Sequence, residues 1–280
     1  MVTIRLLLLC IATFASTHSI AFNNDTLRVA SSANFAKPVE ALLAEFAKQH
    51  PHRPMISVAS TGVLYQQLRH GAPFDIFFAA DIRRPQLLEQ QGLIEEHHRK
   101  TYAIGQIALW SNTQKGPISL ADLQDYKGRI AMAAPHLAPY GNAAKQVLVK
   151  RNLWRYFHQQ LITGNNINQT YQQTLTGAVD YGFISYSQLL TSTQGNGVLI
   201  DNSLHTPLEQ QVVVLKNAAN LELARKFYQY VLSEQGQKII ADFGYLTADK
   251  ATDAVPVSDQ ADSLPPNNGT KPATQTKKTQ

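Results

Sequence analysis

Four short turns rich in Ser, Thr, Asn and Gly contain the residues of this chain that could bind a small molecule. Each turn lies between an apolar run and a helical pattern, and the four read "ASSANF", "ASTG", "AAPHLAPYGN" and "GNNINQ". The first N–H groups of a helix have no intrahelical partner, and the helix dipole adds partial positive charge at that end. Several such ends directed at one point would bind an anion without Lys or Arg. Ordinary helix capping explains any single turn, so the occurrence of all four is what predicts an anion site.

Side chains that could catalyse a reaction do not combine into a recognisable site. Asp75 and Asp81 flank an apolar run and could form a general acid and base, but Asp81 is also placed to cap the next helix. The run "EEHHRK" at residues 95–100 could ligate a metal, although mixed charge of this kind is more typical of a solvated loop. The chain has no Gly-rich phosphate loop, no H-E-x-x-H and no G-x-S-x-G motif. We therefore predict no catalytic residues.

The composition argues against nucleic acid as a partner. The 280 residues carry a formal net charge of +5, and the Lys and Arg residues are spread along the chain. No known nucleic-acid-binding module is recognisable in the sequence. With 44% hydrophobic residues, the chain is long enough for one large or two medium α/β domains with a proper core.

The N-terminal segment predicts export. Arg5 precedes an apolar run at residues 6–14 that is too short to span a bilayer, and small residues suited to a cleavage site follow. We expect residues 1–21 to be a cleavable signal peptide and the protein to be periplasmic, with a membrane anchor as the alternative. Cys10 is the only cysteine and lies in this segment, so the mature chain would have no disulfide and no Cys-ligated metal.

Alternating strand and helix patterns connect the polar turns in the first part of the body. Within residues 22–103 the order is βαβαβα, which predicts a parallel sheet with helices on both faces. One of these helices places Val39, Leu42, Leu43 and Phe46 on a single face. The fully apolar run "FDIFFAA" is typical of a strand that is buried on both sides.

A second α/β unit is predicted over residues 104–208, and residues 209–248 complete the first unit with a strand and two helices. In the second unit, "SLADLQDY" predicts a helix opened by Ser119, and "GNAAKQVLVKRNLWRYF" predicts a single helix. We therefore predict an α/β protein of two lobes, each a mostly parallel sheet flanked by helices, with two hinge crossovers and a ligand cleft between the lobes. Residues 249–280, rich in Pro, Asn, Thr, Gln and Lys, predict a disordered polar tail.

The order of these segments resembles a known family. From about residue 27 to residue 245 the segments are "VASSANFAKPVEALLAEF", "ASTGVLYQQLRHGAPFDIFFAAD", "TYAIGQIALWS", "APHLAPYGNAAKQVL", "GNNINQTYQQTLTGAVDYGFISYSQLL" and "IIADFGY". Together they are similar to the periplasmic molybdate-binding proteins of ABC transporters, which have the type II periplasmic-binding-protein fold. The resemblance implies a non-enzymatic, monomeric protein without a cofactor, which captures molybdate, and tungstate too, and delivers it to a membrane permease. The only metal would be the molybdenum of the bound anion.

The resemblance also implies which residues bind the oxyanion. They fall in the four polar turns and are Ala33, Asn34, Thr61, Tyr140 and Ile167. Many family members have Ser or Thr where this chain has Ala33, so a hydroxyl donor is missing there, and Ile167 could act only through its backbone N–H. Further candidates beside these positions are Ser32, Ser60, Ser185 and Tyr186; one branch of the family uses a Tyr hydroxyl where Ser185 stands.

Two other functions stay open at this point. The same fold could bind another oxyanion, such as sulfate or phosphate. Phosphate keeps a proton at neutral pH and favours a carboxylate acceptor, whereas none of the matched turns contains Asp or Glu. A different class of function would be an exported sensor or enzyme on this fold, but the turns offer Ser and Thr without a matched His.

Overall fold

The computed structural model describes residues 25–247 of the chain. The predicted signal peptide (residues 1–21) and the predicted polar tail (residues 249–280) lie outside the described residues. Among the described residues, no helix is long and apolar enough to cross a membrane.

The strands form two five-stranded sheets. In chain order they are β1 (Thr26–Ser32), β2 (Arg53–Ala59), β3 (Ile76–Ala79), β4 (Ile94–Gly105), β5 (Ile107–Ser111), β6 (Ile130–Ala133), β7 (Leu161–Gly164), β8 (Tyr181–Ser185), β9 (Asn196–Leu199) and β10 (Leu208–Leu215). The first sheet has the order β2-β1-β3-β10-β4, and the second has the order β7-β6-β8-β5-β9.

Each sheet contains one reversed strand. In the first sheet β1 pairs in parallel with β2 and β3, whereas β10 pairs antiparallel with β3 and β4. In the second sheet β6 pairs in parallel with β7 and β8, whereas β5 pairs antiparallel with β8 and β9. Four strands of each sheet therefore point the same way, which confirms the prediction of two lobes with mostly parallel sheets.

The helices cover these sheets. They are α1 (Ala36–Phe46), α2 (Thr61–Arg69), α3 (Arg83–Gln90), α4 (Asp122–Asp125), α5 (Pro139–Lys150), α6 (Trp154–Phe157), α7 (Ile167–Leu175), α8 (Tyr186–Thr191), α9 (Leu221–Leu232) and α10 (Glu234–Asp242). Two short 3-10 turns span Ala33–Phe35 and Asn202–Leu204. We call the first sheet with its helices the first lobe and the second sheet with its helices the second lobe.

Strand β3 shows how the first lobe is packed. Ile76 and Phe78 face the core that contains the predicted apolar face of α1, whereas Phe77 and Ala79 face the core beneath α2 and α3. All residues of β3 are buried, as the uninterrupted apolar run predicted. Burial of each large apolar side chain contributes about 1.5–3 kcal/mol, so this strand is a major source of stability for the lobe.

Phe227 and Tyr228 lie in the same core as the predicted face of α1. The ring of Phe227 is 5.1 Å from that of Phe46. These aromatic residues of α9 therefore pack α9 against α1 and the sheet.

Two helix predictions in the second lobe were wrong in extent. The single helix expected over 141–157 is divided into α5 and α6, because Asn152 adopts a positive φ of 59° and the Leu153 N–H bonds back to Leu148 O at 2.8 Å. Asn tolerates this left-handed conformation better than most residues and commonly ends helices. The helix expected after Ser119 is only one turn, α4, and the carboxylate of Asp122 accepts from both the backbone N–H and the hydroxyl of Ser119.

The run "EEHHRK" lies in strand β4 and not in a loop, so that part of the prediction was wrong. Glu95 forms an ion pair with Arg225 of α9, and Arg99 Nη2 lies 2.9 Å from Glu89 Oε2. His97 has a positive φ of 61°, in the part of β4 where the pairing with β10 is irregular. No group of three or more potential metal-ligating side chains occurs among residues 25–247.

Candidate functional site

The four polar turns all follow strands and precede helices, two in each lobe. The turns after β1 and β2 open the Ala33–Phe35 turn and α2 in the first lobe, and those after β6 and β7 open α5 and α7 in the second. These ends of parallel strands are where α/β sheets bind ligands.

Four of the predicted ligand positions lie in or beside one buried cluster that contains residues of both lobes. Ala33, Tyr140 and Ile167 belong to one buried cluster, which therefore contains residues of both lobes. Thr61 adjoins this cluster, because its Oγ1 accepts the backbone N–H of Ala80 at 3.1 Å and Ala80 is a member of the cluster. The residues that meet at this point are all neutral.

Ser32 and Ser60 have buried hydroxyl groups without hydrogen-bond partners among the described residues. Each precedes a helical turn in the N-cap position, yet neither side chain caps the helix. Their relative exposures are only 1% and 3%, so bulk water does not compensate the hydroxyls. A buried polar group left unpaired costs about 1–3 kcal/mol, and such a group in a native protein calls for an explanation such as a ligand. Ordinary capping therefore does not explain the first two polar turns.

Capping does explain the side chains that open α7 and α8. Asn166 Oδ1 accepts the backbone N–H of Gln169 at 3.0 Å. Ser185 Oγ accepts from the Gln188 N–H at 3.2 Å, and the Gln188 side chain accepts from the Ser185 N–H at 3.0 Å, which completes a capping box. The Ser185 side chain is thus committed to α8, and in the turn before α7 the donor left for a ligand is the backbone N–H of Ile167, the first residue of that helix.

Tyr186 packs between the lobes instead of joining the cluster of Ala33, Tyr140 and Ile167. Its ring lies against Gly244, where a Cβ would approach Tyr186 Cδ1 to 2.8 Å, and Gly244 has a positive φ of 79°. Its backbone N–H donates to the carbonyl of Gln106, the residue between β4 and β5, at 2.8 Å. The structure thus gives Tyr186 a packing role close to one of the chain crossings between the lobes.

The side chain of Asn34 lies in a buried polar network and not at an open surface. Its Nδ2 donates to Gln210 Oε1 at 2.9 Å and to Tyr245 Oη at 3.1 Å. Tyr245 Oη in turn donates to the backbone carbonyl of Asn34 at 2.8 Å. Both amide protons of Asn34 are therefore in use, and the group that Asn34 could offer to a ligand is its backbone N–H.

The Tyr140 hydroxyl belongs to the same network, which we call the Gln210 network: Asn34, Tyr102, Tyr140, Gln210 and Tyr245. Tyr140 Oη accepts from Gln210 Nε2 at 3.1 Å. Burial raises the pKa of Tyr140, and likewise the pKa values of Tyr102 and Tyr245, well above the ordinary range for tyrosine. All three hydroxyls therefore keep their protons at neutral pH and can act as donors.

Three members of this network, Tyr102, Gln210 and Tyr245, were not predicted from the sequence as site residues. The one signal for Gln210 is a pair of polar residues at the start of the apolar strand "QQVVVLKN". That signal does not show which of the two is buried, because the strand's partners are distant in sequence.

Direct contacts close the lobes over the site. The backbone N–H of Gly62 in α2 donates to Leu137 O of the second lobe at 2.9 Å, and a Cβ at Gly62 would lie 2.8 Å from that oxygen. Arg84 Nη2 donates to His136 O at 2.9 Å, and the Arg84 guanidinium also pairs with the Asp81 carboxylate. Asp81 accepts the backbone N–H of Arg84 at 2.9 Å as well, so it organises the start of α3, where Ile82 directly precedes the helix.

Asp75, the other carboxylate of the hypothetical acid–base pair, is buried and accepts hydrogen bonds from backbone groups of the first lobe. Its Oδ2 accepts the Arg28 N–H at 2.7 Å, and its Oδ1 accepts the Ala219 N–H at 2.7 Å. It therefore connects β1 to the loop before α9 and has a structural role.

A groove of ≈ 360 Å³ opens beside the contact of Arg84 with the second lobe. Its wall contains none of the candidate ligands of the polar turns and includes Asp81, Arg84, His136, Asn142, Thr206 and Glu209. The candidate site is therefore formed by the polar turns and not by this groove.

Comparisons with known proteins bear on what the site binds. Residues 27–246 match the family of bacterial extracellular solute-binding proteins. The chain is 31% identical over 223 residues to the molybdate-binding protein ModA of Rhodobacter capsulatus, across 78% of this chain and 87% of the relative. It is 32% identical over 226 residues to ModA of Azotobacter vinelandii, across 78% and 89%. The solved structure of the Azotobacter vinelandii periplasmic molybdate-binding protein has a TM-score of 0.75, with 32% identity, across 79% of this chain and 98% of that chain.

Proposed function

This chain belongs to the bacterial extracellular solute-binding proteins, and we propose that the solute it binds is molybdate, held between the two lobes. The family confirms the resemblance found in the sequence and the prediction of a binding protein instead of an enzyme. The observation that carries the choice of an oxyanion is the pair of buried, unpartnered hydroxyls of Ser32 and Ser60 beside Thr61. Relatives named as molybdate-binding proteins favour molybdate among oxyanions.

In this proposal the anion is bound by neutral donors alone. The hydroxyls of Ser32, Ser60 and Thr61 would donate to its oxygens. Backbone N–H groups at the helix starts would complete the shell, at Ala33 and Asn34 in the first lobe and at Tyr140 and Ile167 in the second. Ser32 supplies the hydroxyl that Ala33 lacks. The partial positive charge at the helix starts favours the anion without a counter-charge that would have to be buried.

The same donor set supports a preference among anions. Molybdate and tungstate are both tetrahedral, doubly charged and free of protons at neutral pH, so we propose that tungstate binds as well. Phosphate carries a proton at neutral pH and would place it among donors, since the polar turns provide no carboxylate acceptor. Sulfate is fully ionised but smaller, so its oxygens would reach fewer of the donors at once.

The architecture supports a role in transport. Two crossovers link the lobes, one at Gln106 and one between β9 and β10, and closure about such crossovers would enclose the anion. The sequence predicts boundaries at 103/104 and 208/209; we propose that the crossovers lie at Gln106 and just before Leu208, because β4 and β10 both belong to the first sheet. The protein would act in the periplasm as a monomer and deliver the anion to the permease of an ABC transporter.

Titration calorimetry and thermal unfolding with molybdate, tungstate, sulfate and phosphate test the proposal. A ligand held at about 100 times its dissociation constant adds about 2.7 kcal/mol to the free energy of unfolding. We expect this stabilisation with molybdate and tungstate and a much smaller one with phosphate. Binding of sulfate alone would overturn the choice of molybdate, and no stabilisation by any of the four would overturn the oxyanion site itself.

A further inference from the structure

The two lobes differ in how their charges are paired. Residues 106–207, which form the second lobe, contain seven Lys and Arg residues, four Asp residues and no Glu. Among residues 25–247, every ion pair between Lys or Arg and a carboxylate lies in the first lobe. In the second lobe, Asp122, Asp180 and Asp201 accept hydrogen bonds from N–H or O–H groups of their own lobe. The cations of the second lobe therefore have no carboxylate partner within the described part of the chain.

Helix α6 brings an exposed cation between two aromatic rings. Leu153 and Phe157, one helical turn apart, are buried in the core of the second lobe. Arg155 lies on the opposite side of this turn and is exposed to solvent. Trp154 and Tyr156 flank Arg155 and are both partly exposed, Tyr156 by 36%. The core contacts of α6 thus hold this arrangement at the surface.

A Lys side chain lies over each of the two rings. Lys145 Nζ is 5.2 Å from the ring centroid of Trp154, and Lys127 Nζ is 5.3 Å from that of Tyr156. Both distances are in the range of cation–π contacts. Lys145 belongs to α5, whereas Lys127 comes from the loop before β6, so the fold and not the local sequence gathers these cations. We call Lys127, Lys145, Trp154, Arg155 and Tyr156 the α6 patch.

The α6 patch lies at the end of the second lobe opposite to the candidate anion site. Helix α5 begins at Pro139, in the polar turn after β6, and its 12 residues extend about 18 Å away from that turn. Helix α6 follows the far end of α5. A function of the patch is therefore separate from the binding of an oxyanion and does not rest on it.

We propose that the α6 patch binds the surface of a membrane that contains anionic phospholipid. Negative headgroups attract Lys and Arg, while Trp and Tyr place an apolar ring and a polar tip at the level of the headgroups. Nucleic acid is another common polyanion, but the chain belongs to a family of extracellular proteins. An acidic protein would complement the cations, but only a membrane surface also uses the two partly exposed rings in this way.

Trp154 provides a readout that is specific to the patch. The chain has two Trp residues, and the other, Trp110, is fully buried with 0% exposure. Contact of the Trp154 ring with the headgroup region should shift its fluorescence to shorter wavelength, since the ring leaves water. The W154F variant keeps an aromatic ring and should bind vesicles nearly as well as the wild type without this shift.

Cosedimentation of the full chain with lipid vesicles tests the proposal. One set of vesicles contains phosphatidylcholine alone, and the other contains about one-third phosphatidylglycerol. We expect binding to the anionic vesicles only, at about 0.02 M salt, and release at about 0.5 M salt, because salt screens the attraction. The shift of Trp154 fluorescence should appear and disappear together with the binding.

A matched pair of charge reversals locates the contact. A Lys or Arg near an anionic surface increases binding about fivefold, so R155E, which changes the charge by two, should bind anionic vesicles at least ~10-fold more weakly. Lys216 is exposed on the first lobe and forms no ion pair with residues 25–247. The K216E variant makes the same change in net charge and should bind within about twofold of the wild type. Both variants should keep the molybdate affinity of the wild type.

Three outcomes would overturn the proposal. Equal weakening in R155E and K216E would mean that net charge, and not the α6 patch, determines binding. Absence of binding to anionic vesicles at low salt would leave an acidic protein as the complement of the patch. Binding that leaves the fluorescence of Trp154 unchanged would place the contact elsewhere on the surface. Wild-type protein that binds anionic vesicles but none of the oxyanions would refute the proposed function and leave this inference intact.

Discussion

Ser32 and Ser60 have opposite consequences for the empty and the occupied site. In the empty protein each is a buried hydroxyl without a partner, which costs about 1–3 kcal/mol. In the proposed complex, each would become a charge-assisted donor to the anion. A residue that destabilises the free protein and stabilises the complex is expected at a binding site and not in a structural core.

Replacing either serine by Ala should weaken binding without lowering the stability of the free protein. The S32A and S60A variants should each weaken molybdate binding by about 10–100-fold, the loss expected for a hydrogen bond to a charged group. The melting temperature of the free protein should stay the same or rise, because an unpaired buried hydroxyl is removed. Calorimetry gives the affinity, and a thermal scan without ligand gives the stability.

Ser57 is the control for this prediction, since it lies on β2 before Ser60 and is exposed to solvent. The S57A variant should change neither quantity. If S32A and S60A lower the melting temperature of the free protein and leave the affinity unchanged, the two hydroxyls have a structural role and the site has been assigned wrongly.

The candidate ligand positions follow a local sequence pattern, whereas the residues that hydrogen-bond to them from distant elements do not. Thr61, Tyr140 and Ile167 stand where an apolar run gives way to a helical pattern, and such a boundary is a local property of the chain. Gln210, for example, forms hydrogen bonds with Asn34, which is 176 residues away in the sequence, and with Tyr140, which is 70 residues away. No local pattern records such a contact, so resemblance or structure is needed to find it.

At the scale of elements, the periodicity of apolar residues predicted which segments are strands and which are helices. The errors concern where an element ends or whether a short one forms. The apolar face of α1 and the buried run of β3 were correctly predicted. The break between α5 and α6 depends on one residue, Asn152, with a left-handed backbone. The short edge strand β9 was not predicted, because "NGVL" gains its strand pairing only from β5.

Helix α2 contains both a candidate ligand, Thr61, and a contact with the second lobe, and a substitution at Gly62 tests whether the two are linked. A Cβ at Gly62 would lie 2.8 Å from Leu137 O, a backbone atom that cannot move aside by rotating. The G62A variant should therefore hold the lobes apart and weaken molybdate binding by about tenfold or more. Ala favours helix over Gly by about 1 kcal/mol, so the free protein should be as stable as the wild type or more so.

The G62A test requires the affinity and the stability to be measured on the same preparation. Gln66 is exposed on the same helix, and Q66A serves as the control that should preserve both. Unchanged affinity in G62A would show that the lobes can close without the contact between α2 and Leu137.

At the scale of the whole molecule, the two lobes share a plan that the sequence could predict. Each has four strands in one direction and a reversed strand in fourth position, β10 or β5. The alternation of patterns predicted two α/β units, and the β-rich segments predicted the crossovers. The contacts between the two lobes join turns that are distant in sequence. The alternation of strand and helix patterns does not predict such contacts.

Arg84 makes one such contact between the lobes, and we expect it to favour closure. Its guanidinium reaches His136 O of the second lobe at 2.9 Å while the Asp81 carboxylate holds it in place. Arg84 is only partly buried, so the contact should contribute no more than about 1.5 kcal/mol to closure. A free energy of this size changes the ratio of closed to open protein by about tenfold. The R84A variant should therefore bind molybdate up to ~10-fold more weakly, and its ligand-free form should have a larger radius of gyration than the wild type in X-ray scattering.

With saturating molybdate, wild type and R84A should scatter alike, because the anion restores closure through donors on both lobes. Arg83 is the exposed neighbour on α3, and R83A should match the wild type in both states. Equal scattering of the free R84A and wild-type proteins, together with equal affinities, would mean that Arg84 has no part in closure. A larger radius that persists with ligand would mean instead that the loss of the ion pair between the Arg84 guanidinium and Asp81 disturbs the start of α3.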